Sequence, residues 1–411
     1  MTPAVPALWG PSRPPARLTR LVPLAVGLMV LAGCAGQGAT SEAGVFTTTP
    51  SMTPRPLRVT PPSPDPRVGL AAGLFDAGEA TWNLRVLSST PPAQPFLGST
   101  NSDLAFTGEY AVQGNYNGVQ IWNIENPNGP SSVVSYVCPA SQSDVSGYKN
   151  LLFVSGEGMG GRLDCGTEGV SEAVSGDRLR GIRIFDISDI RSPRYISNVQ
   201  TCRGSHTHTV LEDPNDQDNV YIYVSGSAPV RPAEEMAGCS GAMPSDDPNS
   251  ALFRIEVIRV PVNNPEAAEI VTSPRIFEDL LAPATHGMAP ADRAEIDEAL
   301  ERGAFIMEFG GDAQVVSDQL ADRLLGEIVE ERSGSGPPTA ADSTTLRDFL
   351  PRMVAQMMGQ QGDGAELGPT QCHDITVYPE IGLAGGACEG YGMLLDISDP
   401  TAPRRLAAVA D

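Results

Sequence analysis

Three of the four histidines and three aspartates lie in short segments where side chains of these types could bind a ligand or a metal ion. They are Asp103, Asp144, His206, His208, His373 and Asp374. Imidazole and carboxylate groups are common ligands of zinc, manganese and iron. The sequence has no helical HExxH spacing, so a metal ion would need ligands from separate elements. A structural alternative stays open, because an aspartate that opens a strand often caps the preceding turn and a loop histidine often makes an ordinary hydrogen bond.

The elements that must position these residues form a repeated unit. A strand that runs into an Asn/Asp/Pro turn occurs in four places, at residues 118–127, 181–190, 258–265 and 393–400. Each copy follows two strand-like runs and precedes another. Units of four short strands are typical of β-propeller blades, because one blade cannot bury both of its faces alone. The sequence therefore predicts an all-β fold, namely a β-propeller-like array of about four complete four-stranded blades, in a ring that need not be complete, with an α-helical insertion.

The repeat assigns most of these histidines and aspartates to equivalent positions in successive blades. Asp103, Asp144, His208 and Asp374 fall at the start of the strand that we predict to be innermost in each blade, with His206 and His373 beside them. Innermost strands line the central channel of a propeller. We therefore expect these side chains to surround one mouth of the channel.

Two segments also carry a family resemblance. Residues 184–189 read Ile-Phe-Asp-Ile-Ser-Asp, and residues 394–400 read Leu-Leu-Asp-Ile-Ser-Asp-Pro. With these segments the chain resembles the LVIVD repeat family, which are β-propeller proteins of microbial surfaces. The first copy has Asn123 in place of the aspartate, and the third has Pro261. The resemblance covers roughly residues 80–277 and 370–411; it implies the propeller fold, and it implies no particular activity because members of the family share none.

The number of predicted strands does not match a closed ring. Residues 83–89 (NLRVLSS) resemble the fourth strand of a blade, yet no blade precedes them, and residues 404–410 already provide the fourth strand of the last blade. The family resemblance implies further repeats beyond this point. We therefore expect either a truncated chain or an open ring.

Residues 279–369 interrupt the repeats with a different pattern. Segments 290–303, 317–332 and 343–358 have apolar residues at helical spacing and predict amphipathic helices. The methionines of this insertion fit core packing better than a cofactor site. Because the insertion leaves from the connection into an innermost strand, it could cover the channel mouth as a lid, or it could be an inert acidic elaboration.

Six cysteines occupy matching places in the repeats. Cys138, Cys202 and Cys372 precede innermost strands, whereas Cys165, Cys239 and Cys388 follow the second strand of the same blade. These two connections emerge on the same side of a propeller. We therefore predict the disulfide bonds Cys138–Cys165, Cys202–Cys239 and Cys372–Cys388, which would fasten long loops.

The N-terminus resembles an export signal. Arginines at positions 13, 17 and 20 precede a short apolar run, and Leu31-Ala32-Gly33-Cys34 resembles a bacterial lipobox, in which Cys34 receives a lipid. An ordinary signal peptide with a chance cysteine is the alternative. The predicted organisation is a signal peptide (1–33), lipidated Cys34 with a Pro/Ser/Thr-rich tether (34–68), repeats (80–278), an acidic helical insertion (279–369) and a last repeat (370–411).

The net charge of the chain limits the kinds of molecule that it can bind. The formal net charge is -23, and it becomes -26 without the three arginines of the signal peptide; Lys149 is the only lysine. Nucleic acids and anionic lipid surfaces are therefore poor partners. The lipid anchor predicts a place outside the cytoplasm, on the bacterial membrane or cell surface.

Three functions remain as hypotheses. A lipid-anchored binding module would present its loop-rich face to a protein or glycan, and the absence of a complete catalytic motif favours this interpretation. A metal-dependent enzyme would use the histidines and aspartates to hold a divalent metal that activates water. An architectural envelope component would assemble with itself or with its neighbours.

Overall fold

The computed structural model describes residues 59–71, 77–283, 287–309, 312–332, 336–359 and 368–410. Its first three sheets are antiparallel, and each has four strands in chain order. The first sheet consists of β1 (Asn101–Thr107), β2 (Tyr110–Asn115), β3 (Gly118–Asn123) and β4 (Ser131–Val137). The second consists of β5 (Val145–Tyr148), β6 (Leu151–Gly156), β7 (Gly181–Asp186) and β8 (Arg194–Gln200). The third consists of β9 (His208–Leu211), β10 (Asn219–Val224), β11 (Glu256–Pro261) and β12 (Glu269–Thr272).

The insertion folds around its own core. It contains α1 (Pro290–Glu301), a hairpin of β13 (Ile306–Phe309) and β14 (Asp312–Val315), α2 (Asp318–Glu331) and α3 (Ala340–Gly359). The three predicted helices are present, whereas the hairpin was not predicted. Leu324, Leu346 and Leu350 are buried together, so the helical spacing of the apolar residues does mark the packed face.

The fourth sheet follows the insertion and repeats the same antiparallel order. It consists of β15 (Asp374–Tyr378), β16 (Leu383–Cys388), β17 (Tyr391–Asp396) and β18 (Arg404–Ala410). With four such sheets, the prediction of an all-β fold is confirmed. Among the described residues, no helix has the length and apolar character needed to cross a membrane.

The repeated Asp-Ile-Ser-Asp motif is a turn at the end of the third strand. Asp186 Oδ1 accepts a hydrogen bond from Ser188 N at 2.8 Å, and Asp396 Oδ1 accepts one from Ser398 N at 3.0 Å. Asn123 Oδ1 accepts from Glu125 N at 3.1 Å, so the asparagine performs the same task in the first sheet. Pro261 has no side-chain acceptor, but the third copy keeps the backbone hydrogen bond of the next residue, from Val262 N to the carbonyl oxygen of Asp218 at 2.8 Å, which Ile124, Ile187 and Ile397 also make in their copies.

The sheets are equivalent in register. A β-bulge interrupts the pairing of the third and fourth strands in every sheet. It follows Ile121, Ile184 and Leu394, the fourth residue of their strands, and lies two positions earlier in the third sheet, after Val257. Across each sheet the fourth residue of the third strand belongs to a paired row, and the rows are Ala105–Val112–Ile121, Ser146–Phe153–Ile184, Leu211–Tyr221–Arg259 and Thr376–Gly385–Leu394. We call the face that carries this row the forward face, and the opposite face the backward face.

The apolar cores lie between successive sheets. One core joins the forward face of the first sheet to the backward face of the second, through residues such as Ile121 and Phe185. A second core joins Phe153 and Ile184 to Ile222 and Ile258 of the third sheet. A third joins residues such as Tyr223 to the backward face of the fourth sheet. Every core is therefore a forward face packed on a backward face.

The innermost strands lie side by side in the same sequence. β5 packs against both β1 and β9, and β9 also packs against β15. Among the described residues, no comparable packing joins β15 back to β1. In the described part of the chain, the innermost strands therefore follow one another in chain order, from β1 to β5, β9 and β15.

The predicted strand at residues 83–89 is wrong. These residues form no strand, and Asn83 has a left-handed backbone with φ 61°. The chain that follows lies over the first sheet, where Ser88 Oγ donates to the carbonyl oxygen of Pro127 and Ala93 N donates to Gln120 Oε1. Phe96 is fully buried there. This segment therefore contacts the first sheet through a side chain of β3 and the backbone of the loop after it, and it does not add a strand.

The three predicted disulfide bonds are confirmed. Cys138 is bonded to Cys165, Cys202 to Cys239, and Cys372 to Cys388. Three disulfide bonds indicate an oxidising, extracytoplasmic environment. Cys34, the signal peptide and most of the tether lie outside the described residues.

Candidate functional site

One position of the repeat carries polar side chains that reach the next sheet. It lies two residues before the innermost residue of each forward row, and it is occupied by Asp103, Asp144, Thr209 and Asp374. Asp103 Oδ2 accepts from Gln142 Nε2 at 3.3 Å, and Asp144 Oδ2 accepts from the backbone nitrogen of His208 at 2.8 Å. Thr209 Oγ1 donates to the carbonyl oxygen of Ile375. The first three of these side chains thus tie one sheet to the start of the next, whereas the contact of Asp374 is with the neighbouring His373.

The structure corrects the place of His208. The sequence alignment put His208 at the position of the three aspartates in the repeat, but Thr209 occupies that position, because Thr209 pairs through Tyr223 with Val257 as Asp374 pairs through Ala387 with Gly392. His208 belongs to the backward face of the third sheet, and its side chain has no solvent exposure. The side chain therefore lies between two sheets and does not line the mouth.

His208 is the centre of a buried polar network. Its Nδ1 atom lies 2.9 Å from Asp144 Oδ2 and 2.9 Å from Ser155 Oγ. Ser155 Oγ also lies 2.8 Å from Ser205 Oγ. Within the described part of the chain, the buried Nε2 atom has no hydrogen-bond partner. This is not the geometry of a Ser-His-Asp triad, because serine and aspartate share one imidazole nitrogen and no nucleophile meets the other.

His206 joins the second and third sheets at the mouth. Its Nδ1 atom lies 2.5 Å from Glu157 Oε1, and Glu157 also accepts hydrogen bonds from Ser141 Oγ at 3.2 Å and from Ser227 Oγ. The imidazole remains about a quarter exposed, at 27%. Glu157 was not identified from the sequence, where the glycine-rich segment around it indicated only a loop.

His373 brings the fourth sheet to the same place. The rings of His206 and His373 meet edge to face, with centroids 5.1 Å apart. His373 Nδ1 lies 2.9 Å from Asp374 Oδ2, and both of these side chains are exposed. We call His206, Glu157, His373, Asp374 and Asp103 the mouth cluster.

The mouth cluster is electrostatically coupled. Burial and the negative charge of Asp144 raise the pKa of Asp103, and the charge of Asp374 raises it further. The hydrogen bond to Glu157 raises the pKa of His206, and the charges of Asp144 and Asp103 act in the same direction. The charges of Asp144 in the second sheet and Asp374 in the fourth therefore both act on Asp103 in the first.

Two partially buried carboxylates stay ionised because histidine pairs with them. Burial disfavours the charged form of Asp144, but the charge and the hydrogen bonds of His208 outweigh it and lower the pKa of Asp144. Burial likewise acts against Glu157, and the hydrogen bonds from His206 and Ser227 lower its pKa in spite of it. Asp144 and Glu157 therefore stay negatively charged at neutral pH.

The predicted metal ligands do not form a ready metal site. Among the described residues, no group of three or more His, Cys, Asp or Glu side chains is placed to hold a metal ion. What the three histidines share is a carboxylate oxygen at Nδ1, from Glu157 for His206, Asp144 for His208 and Asp374 for His373. This arrangement fixes each imidazole through a single nitrogen.

A buried ion cluster supports the loops below the mouth. Glu235 accepts hydrogen bonds from Arg178 and, at 2.7 Å, from Arg231 Nε, and all three side chains are almost fully buried. Glu235 Oε2 also accepts from Ser175 N at 2.9 Å. The cluster thereby locks the long loop of the second sheet to that of the third. Sequence reasoning missed it because arginine is normally a surface residue.

A second arginine connects the third sheet to the fourth. Arg203 Nη1 donates to the carbonyl oxygen of Thr370 at 3.0 Å, and its Nη2 atom donates to Gln371 Oε1 at 3.1 Å. Burial lowers the pKa of Arg203 to about 10. The Arg203 hydrogen bonds, the Glu235 ion cluster and the disulfide bonds therefore connect the loops of the second, third and fourth sheets to one another.

The comparisons with known proteins give little more. No family model matches the chain, and no curated protein matches it. The chain has 11% sequence identity and a TM-score of 0.30 to the X-ray structure of a hypothetical selenium-binding protein from Sulfolobus tokodaii, over 74% of this chain and 59% of that one.

Proposed function

We propose that this protein is a lipid-anchored, extracytoplasmic β-propeller that binds a ligand at the mouth of its central channel. The observation that carries the proposal is the mouth cluster, in which Glu157, His206 and His373 are in contact and the charge of Asp374 acts on Asp103 of the first sheet. A binding site assembled from separate repeats needs a rigid scaffold. The disulfide bonds and the buried Arg178–Glu235–Arg231 cluster supply that rigidity.

The propeller arrangement is the finer part of this proposal. It is supported by the order of the innermost strands and by cores that always join a forward to a backward face. In a propeller, the innermost strands start at a common mouth. Membership of the LVIVD repeat family is proposed on the segments around Asp186 and Asp396.

The ligand class follows from the charges. Asp103, Glu157 and Asp374 are carboxylates, and in the mouth cluster they outnumber the imidazoles of His206 and His373. The whole chain is strongly acidic as well. A protein or glycan that offers a cationic group therefore suits this mouth better than an anionic partner.

Lipid attachment at Cys34 is the proposed means of placing this module on the bacterial membrane or cell surface. The support is the lipobox-like Leu31-Ala32-Gly33-Cys34 and the Pro/Ser/Thr-rich stretch after it. The oxidising environment indicated by the disulfide bonds agrees with this location. The tether would hold the sheets away from the lipid surface.

Binding of defined cationic probes tests the proposal. The probes are an arginine-rich peptide and a deacetylated chitosan oligosaccharide, each measured by isothermal titration against its uncharged or acetylated form. We expect the double variant Asp103→Asn, Asp374→Asn to lose most of the affinity of the better probe. The matched control is Glu295→Gln, Glu301→Gln, which removes the same charge from exposed positions of α1. Equal losses in both variants would show that only the overall charge matters, and the proposed site would be wrong.

A metal-dependent enzyme is the second candidate. It is favoured by one observation: each of the three histidines has a carboxylate at Nδ1, which leaves Nε2 available to a metal. It needs a rearrangement to bring a third ligand in. Stoichiometric zinc, manganese or iron in protein purified without chelators, lost in a His208→Ala, His373→Ala variant, would favour this candidate. Metal-free wild-type protein would exclude it.

A further inference from the structure

Arg180 is a buried cation that contacts no carboxylate among the described residues. It directly precedes β7, is 1% exposed, and its Nη2 atom donates to the carbonyl oxygen of Pro229 at 2.5 Å. Within the same part of the chain, its Nε atom is buried and has no hydrogen-bond partner. A buried charge without a counter-charge is costly, and an unpaired buried donor in a native protein commonly belongs to a site for a water molecule or an ion.

The surroundings of Arg180 add further positive charge. Gln200 Oε1 accepts from Arg180 N at 3.0 Å and from Arg231 Nη1 at 2.6 Å, so the two arginines share one acceptor. Arg231 Nη2 in turn donates to the carbonyl oxygen of Arg178 at 3.1 Å. All three arginines are almost fully buried, and in the part of the chain that the structure describes Glu235 is the one carboxylate that contacts any of them. Three buried cations therefore face one buried carboxylate.

The charge of Arg180 is opposed by these neighbours. Burial and the charges of Arg231 and Arg178 lower the pKa of Arg180 to about 10, although the charges of Glu235 and Glu157 act in the opposite direction. The guanidinium group is still charged at neutral pH. A water molecule would satisfy the Nε–H group, whereas an anion would also offset the charge.

We infer that a small monovalent anion of the halide class, such as chloride, binds at Arg180 Nε between the long loops of the second and third sheets. The almost complete burial of Arg180 favours a single-atom anion over a larger carboxylate or phosphate. The anion would accept a charge-assisted hydrogen bond and balance part of the excess positive charge. This site is separate from the mouth cluster and does not depend on the ligand proposed there.

Thermal unfolding at constant ionic strength, with chloride as the probe, measures this binding in the purified full chain. Replacing ~100 mM gluconate by chloride should raise the melting temperature of the wild type by roughly 3 °C, because an ion that binds only the folded state stabilises it. In Arg180→Met the rise should disappear. The matched control is Arg203→Met, which should keep the rise. Burial also lowers the pKa of Arg203 to about 10, but each of its side-chain nitrogens donates to an oxygen atom.

Wild-type crystals soaked in bromide locate the anion without any substitution, so they decide the question even if Arg180→Met does not fold. We expect an anomalous bromide peak within hydrogen-bond distance of Arg180 Nε. A water molecule at this atom in crystals that contain bromide would overturn the inference. Equal wild-type melting temperatures in chloride and gluconate, or a rise that Arg180→Met retains, would overturn it as well.

Discussion

At the scale of single residues, polar groups in the interior decide both stability and charge at the mouth. His206 and Glu157 form a pair that links two sheets, and their pKa values shift in opposite directions. A raised histidine pKa stabilises the fold below the ordinary value of 6.5 and loses that effect as the pH rises through the folded value. A lowered glutamate pKa stabilises above the ordinary value of 4.5 and loses its effect as the pH falls.

The first prediction concerns this pair. His206→Gln should lower stability by about 1 kcal/mol, or roughly 2–4 °C in melting temperature, near pH ~5.5, where both charged forms are present. The difference from wild type should shrink at pH ~8.5, because the wild-type imidazole is then neutral. Thermal unfolding of both proteins at the two pH values measures this. A difference that stays constant with pH would mean that the ion pair makes no contribution.

The second prediction concerns Glu235. Glu235→Gln removes the charge that Arg178 and Arg231 share, and it should cost about 3–5 kcal/mol because two cations then stay buried without a partner. The neighbouring Glu234 is exposed, so Glu234→Gln is the control and should be nearly neutral. Urea unfolding of the three proteins compares them. Similar midpoints for both variants would contradict the structural role of the cluster.

At the scale of elements, the sequence predicted the features that recur in each repeat, and it did not predict the elements that occur only once. Alternating strands recur in every unit and the Asx turn after the third strand recurs in three of the four, so the four sheets and the disulfide pairs could be predicted. The alternation at residues 83–89 misled because a strand also needs a free sheet edge in the right place, which sequence patterns do not reveal. The hairpin of β13 and β14 was not predicted because its two strands have only four residues each and lie between segments with helical spacing of apolar residues.

The site was predicted to a similar extent. The aspartates could be placed from the repeat, but His208 was assigned to their position in place of the neighbouring Thr209. A shift of one residue moves a side chain to the other face of a strand. Glu157 had no sequence signal, because its partners come from loops far along the chain.

The third prediction concerns the insertion. Its apolar core, which includes Leu324 and Leu346, is separate from the three cores between the sheets. Replacing residues 288–366 by a short Gly/Ser linker should therefore leave the melting temperature of the sheets within a few degrees of wild type. Near-ultraviolet circular dichroism during heating measures this transition. Loss of the cooperative transition would mean that the sheets depend on the insertion.

At the scale of the whole molecule, two features are proposed: a lipid anchor at Cys34 and a polar mouth shared by the sheets. The fourth prediction tests the anchor. Cys34→Ser should abolish metabolic labelling with a fatty acid and release the protein from the membrane fraction, because Cys34 would be the only lipidated residue. Labelling that persists in Cys34→Ser would contradict the lipobox interpretation.

The central claim is that residues from the first and last sheets meet at one mouth. Cross-linking by a short bis-maleimide in a variant with Asp103→Cys and Asp374→Cys tests it most directly, with linked peptides identified from the band of a single chain. We predict an efficient link within one chain, and none in a control with Asp103→Cys and Ile381→Cys, since Ile381 follows the far end of β15. Absence of the first link, or equal yields in both variants, would contradict the common mouth.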